Sequence, residues 1–455
     1  MIKCPNCTGE LNFDPKATKV TCEYCGSTFD PKELNAKVKK SKEVETIEGK
    51  SYTCTQCGAT LMTFDDTAVT FCSYCGSQAM IEQNMVKQNK PDFIIPFKKD
   101  KNDCIEAYKR VVNKALFTPK SLKDTATLEK FRGIYMPYCI YDLEYKGKKV
   151  FDGSRYSHRR GDYKIYNDYK LHTDIDSHCN GVSYDMSSTF YDDYSQAIPF
   201  NTKEKEAFNP NYLPGYYADK PDVPLETYDK MALGVAKSES KKYLSKESKF
   251  ASHGCYNPML DYYIKSRSVA LYPIYFLAIR DKQEKNVYYA IVNGQTGKVA
   301  ADLPVSFSKY IISSLILAVI IFLLINWNLV VNPIVLCGFA AIMAFISLAM
   351  SISQLSAIEK KKNHSEDAGF MSKEENVKKK EKVHGFKYVY KQIIAMMIPL
   401  FPVFSAIADD EIFYGAAIIS LILVLLSFRA LVNEHNILVS NKLPQLEKRG
   451  GDENA

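Results

Sequence analysis

The chain has 455 residues, 59 Lys and Arg against 52 Asp and Glu for a formal net charge of +7, 46% apolar residues, 13 Cys and 7 His. Those proportions exclude a disordered chain, a collagen and a small disulfide-stapled secreted scaffold, and the length suggests about three domains of roughly 150 residues. The charge is unevenly distributed: residues 310–358 hold no Asp, Glu, Lys or Arg, whereas the first 309 residues are rich in both signs, so a soluble part and a membrane part are expected.

No apolar run of about 7 to 15 residues follows Met1-Ile2-Lys3-Cys4, so a secretory signal is not expected and the N-terminus is placed in the cytosol. Cys4-x2-Cys7 and Cys22-x2-Cys25 recur fifty positions on as Cys54-x2-Cys57 and Cys72-x2-Cys75, with fourteen residues between the pairs each time. The flanks repeat too, Tyr24-Cys25-Gly26-Ser27 answering Tyr74-Cys75-Gly76-Ser77. Two tandem zinc ribbons are expected at 1–30 and 51–80. Four thiolates suit tetrahedral Zn²⁺, and the two-residue gap lets one turn present both sulfurs to one ion. Gly26, Gly58 and Gly76 supply the positive φ that turn needs, with Thr8 standing in the same place of the first knuckle. Disulfides and redox CxxC pairs are the alternatives; a reducing cytosol opposes the first and four matched pairs oppose the second. Two structural Zn²⁺ ions with all positions filled leave no room for catalysis at the metal. Cys104, Cys139, Cys179, Cys255 and Cys337 show no pairing and read as buried small apolar residues.

Residues 31–50 and 81–92 read as polar linkers. An α+β, mostly antiparallel cytosolic domain is expected over 93–305. Apolar positions 104, 105, 108, 111, 112, 115 and 116 predict a helix with one buried face, and a second helix is expected near 225–247. Alternation predicts strands at 133–143, 162–175, 269–279 and 287–292, with a turn at Asn293-Gly294. His172, Asp174, Asp176 and His178 fall on one strand face, where they either hold a metal or line a solvated surface. Four in a row spread over about 20 Å at 3.3 Å per residue, which favours the surface. Gly49-Lys50-Ser51 lacks the earlier glycine of a phosphate loop, and no nucleotide, Gly-x-Ser-x-Gly or His-Glu-x-x-His motif is found.

The uncharged residues 310–358 are long enough for two spans, connected near Asn326-Trp327-Asn328 and Asn332-Pro333. Two more apolar stretches follow, giving a four-helix transmembrane region in two hairpins, 308–354 and 389–434. The intervening 355–388 is a Lys-rich loop placed in the cytosol by the positive-inside bias, and an even number of spans then puts the tail 435–455 there too. Arg429 reads as a snorkelling residue. The first two spans contain no Asp, Glu or His, so a transporter is not expected.

Ile95-Pro96-Phe97, the string 133–138 (Gly-Ile-Tyr-Met-Pro-Tyr), the string 208–217 (Phe-Asn-Pro-Asn-Tyr-Leu-Pro-Gly-Tyr-Tyr) and Asn293-Gly294-Gln295-Thr296-Gly297-Lys298, together with the cysteine pairs, carry a resemblance. The chain resembles, from Cys4 to about Pro304, uncharacterised bacterial membrane-anchored proteins with TFIIB-type zinc ribbons. Some of these are labelled primosomal helicase-like on the ribbon alone, though no helicase motif is present here. The resemblance implies zinc, a membrane and a cytosolic orientation, and no reaction.

The expected function is that of a non-enzymatic membrane-anchored protein binding a cytosolic partner. A protein partner is favoured, because residues 51–80 hold no Lys or Arg and Lys3, Lys16 and Lys19 face four acids in the first unit. The alternatives are a tethered nucleic-acid binder using Arg155, His158, Arg159 and Arg160, and a metal-dependent enzyme within 93–305 drawing on His158, His172, Asp174, Asp176 and His178. No small-molecule substrate is indicated.

Overall fold

The computed structural model describes residues 3–34, 46–64, 69, 72–78, 80–280, 286–325, 332–362, 367–372, 386–404 and 410–442. The connection around Trp327, the acids Asp65, Asp66 and Asp409, the lysines at 373–382, the linker 35–45 and the tail from 443 lie outside the described residues.

β1 (Leu11–Asp14), β2 (Lys19–Cys22) and β3 (Thr28–Phe29) form a small antiparallel sheet of their own. Alternation turns Leu11, Phe13 and Val20 inward, and the short α1 (Pro31–Leu34) closes the unit. The string 208–217 receives it. Asn209 and Asn211 donate their side-chain amides to Pro31 O at 2.8 and 2.7 Å, Phe13 N donates to Pro214 O at 3.1 Å, and the Phe13 and Tyr212 rings meet edge to face at 5.1 Å.

The second unit is built differently. β4 (Thr46–Cys54), β5 (Thr60–Thr63) and β6 (Met80–Asn89) belong to a 12-stranded sheet. The expected linkers 31–50 and 81–92 are therefore corrected: 46–50 is strand and 81–89 is its antiparallel partner, Thr46 opposite Asn89 through Cys54 opposite Met80. Lys and Glu made these segments look like tethers. In the sheet the charges sit on the outer face, where Lys87 and Glu48 pair at 3.1 Å, while Ile47 and Val86 pack inward.

The rest of the sheet comes from β7 (Phe93–Ile94), β8 (Arg132–Arg160), β9 (Tyr163–Asp185), β10 (Glu206–Ala207), β11 (Tyr217–Asp219), β12 (Tyr263–Arg280), β13 (Asn286–Asn293) and β14 (Val299–Ala301). Its path runs β10, β7, β12, β8, β11, β5, β4, β6, with β9 paired to β8 and β13 to β12. β11 with β8 and β12 with β7 are parallel, so the sheet is mixed. α2 (Lys101–Lys114) covers one face, started by a capping box in which Asp100 accepts from Asp103 N at 2.7 Å and Asp103 accepts from Asp100 N at 3.2 Å. The short α3 (Thr125–Leu128) and α4 (Asp192–Ala197) flank the sheet, followed by α5 (Asp229–Lys246), inside the expected 225–247, and α6 (Ser248–Ser252).

β8 and β9 outrun the sheet. Beyond Glu144 the strand β8 pairs with β9 and, at Gly153, with Cys255 in an isolated bridge, ending in a turn where Gly161 takes φ +63°. Sixteen residues at 3.3 Å make this arm about 50 Å long. A bare two-stranded ribbon is marginal in water. This one is braced by α6 and the chain that follows it: the Phe151 and Phe250 rings meet at 5.2 Å, Lys149 pairs with Asp261 at 2.8 Å, and Gly153 packs so tightly on the chain at His253 that a Cβ would sit 2.3 Å from its carbonyl oxygen.

α7 (Phe307–Ile325), α8 (Pro333–Lys362), the short α9 (Ala368–Met371), α10 (Phe386–Phe404) and α11 (Asp410–Val439) complete the chain with β15 (Asn441–Lys442). Among the described residues two helices, Pro333–Lys361 and Glu411–Val439, each 29 residues, are long and apolar enough to cross a membrane. The other two of the four expected spans present shorter apolar stretches, Phe307–Ile316 and Val389–Val403, the second with Pro399 and Pro402 inside its helix. The expected tail from 435 is also corrected, because α11 runs on to Val439 and β15 then pairs with β13, Asn441 opposite Val287.

Candidate metal centres

Each knuckle is the same backbone turn. The N–H of Thr8, Gly26, Gly58 and Gly76 donates to the carbonyl of the cysteine four residues earlier, at 2.7 to 3.0 Å, and that cysteine's N–H donates onward to Gly9, Ser27, Ala59 or Ser77 O. All four turn residues have φ between +61° and +69°. For Thr8 this left-handed conformation costs about 1–2 kcal/mol that glycine would not, part of it offset by its hydroxyl donating to Cys7 O at 2.6 Å. Thr8→Gly is therefore expected to stabilise the first unit by about 0.5–1 kcal/mol, read as a higher chelator concentration at half-loss of its metal.

The turns bring Cys4, Cys7, Cys22 and Cys25 together, and likewise Cys54, Cys57, Cys72 and Cys75, all sulfurs of a set lying within 4.8 Å of one another. Cross-pairs stand 3.5 and 3.7 Å apart in the first set and 3.3 and 3.6 Å in the second. A tetrahedron of 2.3 Å metal–sulfur bonds has edges of about 3.8 Å, so both sets have nearly the size of a closed tetrathiolate site and could hold a metal ion. All eight cysteines are free of disulfides.

Electrostatics support the charged form unequally. Ser27 Oγ, 3.1 Å from Cys25 Sγ, holds that thiol down to about 6. In the buried second set, hydrogen bonds from its neighbours, Cys57 first, push Cys54 down, and Cys54 in turn pushes Cys57 and Cys72 up. A divalent cation bound among the four sulfurs would displace their protons and balance the thiolate charge.

The surroundings separate the repeats. Tyr24 is 88% exposed, whereas its counterpart Tyr74 is 1% exposed, its ring edge-on to Phe276 at 5.3 Å and its hydroxyl 3.6 Å from Met136 Sδ. Burial pushes Tyr74 well above the usual phenol range, and burial lifts nearby Asp219 to about 6. Sequence reading missed Tyr74, Asp219 and Ser27 as parts of these sites. The repeated Tyr-Cys-Gly-Ser string contains Tyr74 and Ser27, whereas nothing in the sequence pointed to Asp219.

The His172 to His178 face is a solvated surface, with all four side chains exposed. Asp176 and His178 do approach Glu144 across the strands, His178 Nε2 lying 3.1 Å from Asp176 Oδ1. Lys265 already pairs with Glu144 at 2.9 Å and Lys146 with Asp176 at 3.6 Å, while His172 and Asp174 stand opposite Val150 and Lys148 farther along. His158, Arg155, Arg159 and Arg160 lie exposed near the arm's tip. A groove of about 720 Å³ at the arm's base is lined by Lys149, Asp152, Tyr169, Lys237 and Asp261 among others, and by none of those histidines. Of the remaining cysteines, Cys104, Cys139 and Cys337 are buried, while Cys179 and Cys255 are half-buried.

No family model and no solved structure matches the chain. Over 317 residues, 68% of this chain and 91% of the other, it is 26% identical to a protein of Bacillus subtilis (strain 168) described as uncharacterized protein YdjG.

Proposed function

We propose that this is a membrane-anchored zinc-ribbon protein without catalytic activity, whose ribbons and sheet domain bind a protein partner in the cytosol. The observation that carries this reading is the closure of both cysteine sets: four sulfurs on each candidate ion leave no coordination position for a substrate or an activated water. A closed set of four thiolates at this spacing suits a structural Zn²⁺.

Four spans with both termini in the cytosol are supported by the way the helix ends meet the sheet domain. Val305 N, just ahead of α7, donates to Asn436 Oδ1 of α11 at 2.7 Å, and β15 joins the sheet. The segment after α8 also docks: Asp192 N donates to Asp367 Oδ2 at 3.0 Å and Ala368 N to Asp192 Oδ2 at 2.8 Å. The start of α7, the loop after α8 and the end of α11 thus share one side. Reporter fusions after residue 372 and after residue 442 are expected to read cytosolic, and a periplasmic or extracellular signal from either would overturn the topology.

The partner-binding element we assign is the β8–β9 arm, whose outer part exposes Tyr156, Tyr163 and Tyr166 beside Arg159 and Arg160. Aromatic and Arg side chains are the types enriched where protein interfaces concentrate their energy. Arg155, Arg159, Arg160, Lys164 and Lys170 against Asp162 and Asp168 also give this region the charge that a nucleic acid would need. A photocrosslinker at Tyr163 in the full-length protein in cells is expected to give a discrete protein adduct that resists nuclease. A nuclease-sensitive adduct would move the nucleic-acid reading to the front, and the absence of any adduct from the arm would refute its role.

A further inference from the structure

The two cysteine sets match in size and differ in access. Cys4 Sγ lies 3.7 Å from Cys25 Sγ, and Cys54 Sγ lies 3.6 Å from Cys75 Sγ. Yet Glu23, Tyr24, Cys25 and Gly26 are exposed and Cys7 is half-buried, whereas Cys72, Ser73, Tyr74 and Cys75 are buried and no cysteine of the second set is more than 1% exposed. Phe276 and Tyr289 pack in one core with that second set.

Access governs what a thiolate can meet. A thiol that ligates a metal ion is deprotonated, and oxidation of cysteine follows thiolate character and exposure, most readily where a second sulfur stands by to resolve the product. Cys25 combines exposure with a neighbouring sulfur at 3.7 Å. Its surroundings are polar as well: Ser27 Oγ is 3.1 Å from Cys25 Sγ and accepts from Asn6 Nδ2 at 3.0 Å. An added oxygen on that sulfur would therefore stay solvated instead of being buried without a partner.

Resting on the zinc-ribbon reading above, we propose that the first cysteine set is a site of reversible oxidation by hydroperoxides, with Cys25 the attacked sulfur and Cys4 the resolving one, and that the second set is inert to the same oxidant. The Cys25 thiolate attacks one oxygen of hydrogen peroxide: the S–O bond forms, the O–O bond breaks and hydroxide leaves, so that the sulfur is oxidised by two electrons and the peroxide reduced. The Cys4 thiolate then attacks Cys25 Sγ, forming the S–S bond and expelling the second hydroxide. Two thiolates and one peroxide give one disulfide and two hydroxides.

Cys7 and Cys22 alone are too few for a closed tetrathiolate site, and a ribbon of this kind folds only with its metal. Oxidation therefore opens the first unit. The large sheet stays, because the first unit shares no strand with it. What is uncovered is the string 208–217, whose Asn209 and Asn211 amides lose Pro31 O and whose Tyr212 ring loses Phe13. Exchange with a reduced thiol reverses the disulfide.

The test uses the full-length protein in detergent, with hydrogen peroxide as the oxidant and a chromogenic chelator to read zinc release. About two zinc ions per chain are expected before peroxide and about one after it. Mass spectrometry is expected to find a Cys4–Cys25 disulfide, and trypsin to cut at Lys16 and Lys19 while the sheet keeps its cooperative melt. A thiol reductant with added zinc is expected to restore the second ion. Cys25→His offers a Cys3His set, which also holds zinc, and is expected to keep both ions in the same peroxide. Fewer than two ions before peroxide would sink the zinc-ribbon reading and this proposal with it. From a start of two, loss of neither ion, loss of both together, or loss from C25H as fast as from wild type would overturn the peroxide proposal alone. Should C25H not load two ions, the wild-type disulfide decides, and a bridge that omits Cys25 would overturn it.

Discussion

Cys54→Ser is expected to unfold the sheet domain, whereas Cys4→Ser is expected to free only the first unit, although both remove one ligand from equivalent places of a repeat. Zinc binding by a structural site contributes about 10–16 kcal/mol of apparent folding energy, comparable to or above the whole stability of a domain at about 5–15 kcal/mol. What differs is what each site holds. The Cys54–Cys57 knuckle joins β4 to β5, and β5 pairs with β11, Leu61 opposite Asp219 and Met62 opposite Ala218. Cys54, Cys57, Cys72 and Cys75 share a core with Tyr74, Met136, Phe276 and Tyr289. Opening that site removes ligands, the edge of the sheet and part of its core together. The first set holds a three-stranded sheet of its own, which meets the domain through the 208–217 string, through Lys16 with Asp100 at 2.8 Å, and through Leu11, Phe13 and Val20 in the core that also contains Phe97, but which shares no strand pairing with the large sheet. In both variants bound metal is expected to fall from about two to about one ion per chain. Only C54S should lose the cooperative melt and the slow amide exchange of β8 and β12. A C54S protein that melts like wild type would show that the second site does not support the sheet.

Phe97→Ala is expected to cost about 3–5 kcal/mol, the range for a large aromatic truncated in a core that cannot collapse. Phe97 is fully buried, stacked on Tyr216 at 4.1 Å and edge-on to Tyr135 and Tyr275 at 5.0 Å each. Two glycines make its space: a Cβ on Gly133 would lie 2.4 Å from Tyr216 Cδ1, and one on Gly294 would lie 2.4 Å from Phe97 Cδ1. Gly133→Ala is accordingly expected to destabilise from the opposite direction, by overpacking, at about 1–3 kcal/mol. Urea unfolding of the full-length protein in detergent, followed by far-UV circular dichroism, would measure both. A loss below about 1 kcal/mol for F97A would mean that the site relaxes around the missing ring.

That cluster explains what the resemblance was built on. Ile95-Pro96-Phe97, Gly133 to Tyr138, the Pro-Gly-Tyr-Tyr end of 208–217 and Asn293-Gly294 are far apart in sequence and meet around one ring. They are packing signatures with no chemistry of their own, which is why so specific a set of strings pointed to no reaction. The same string also seats the first ribbon, since Gly215 at φ +85° lies so close to Asn12 that a Cβ would fall 1.9 Å from its side-chain oxygen.

The cysteine spacing, the main helices and the long strands could be read from the residues, because knuckle turns and alternation are local effects. The sheet edge at 46–50 and 81–89 could not, since a polar strand differs from a linker only by the partner it finds.

By itself, then, the sequence determined which eight sulfurs form two sets and which segments are apolar, because both depend on spacing and composition. Only the tertiary structure decided that one copy of the repeat keeps a small sheet of its own while the other is built into the large sheet. Tyr24 in solvent and Tyr74 in the interior occupy the same place in the same motif. The difference lies in the strands that reach β5 from 150 residues away, and burial is a property of those partners, not of the motif.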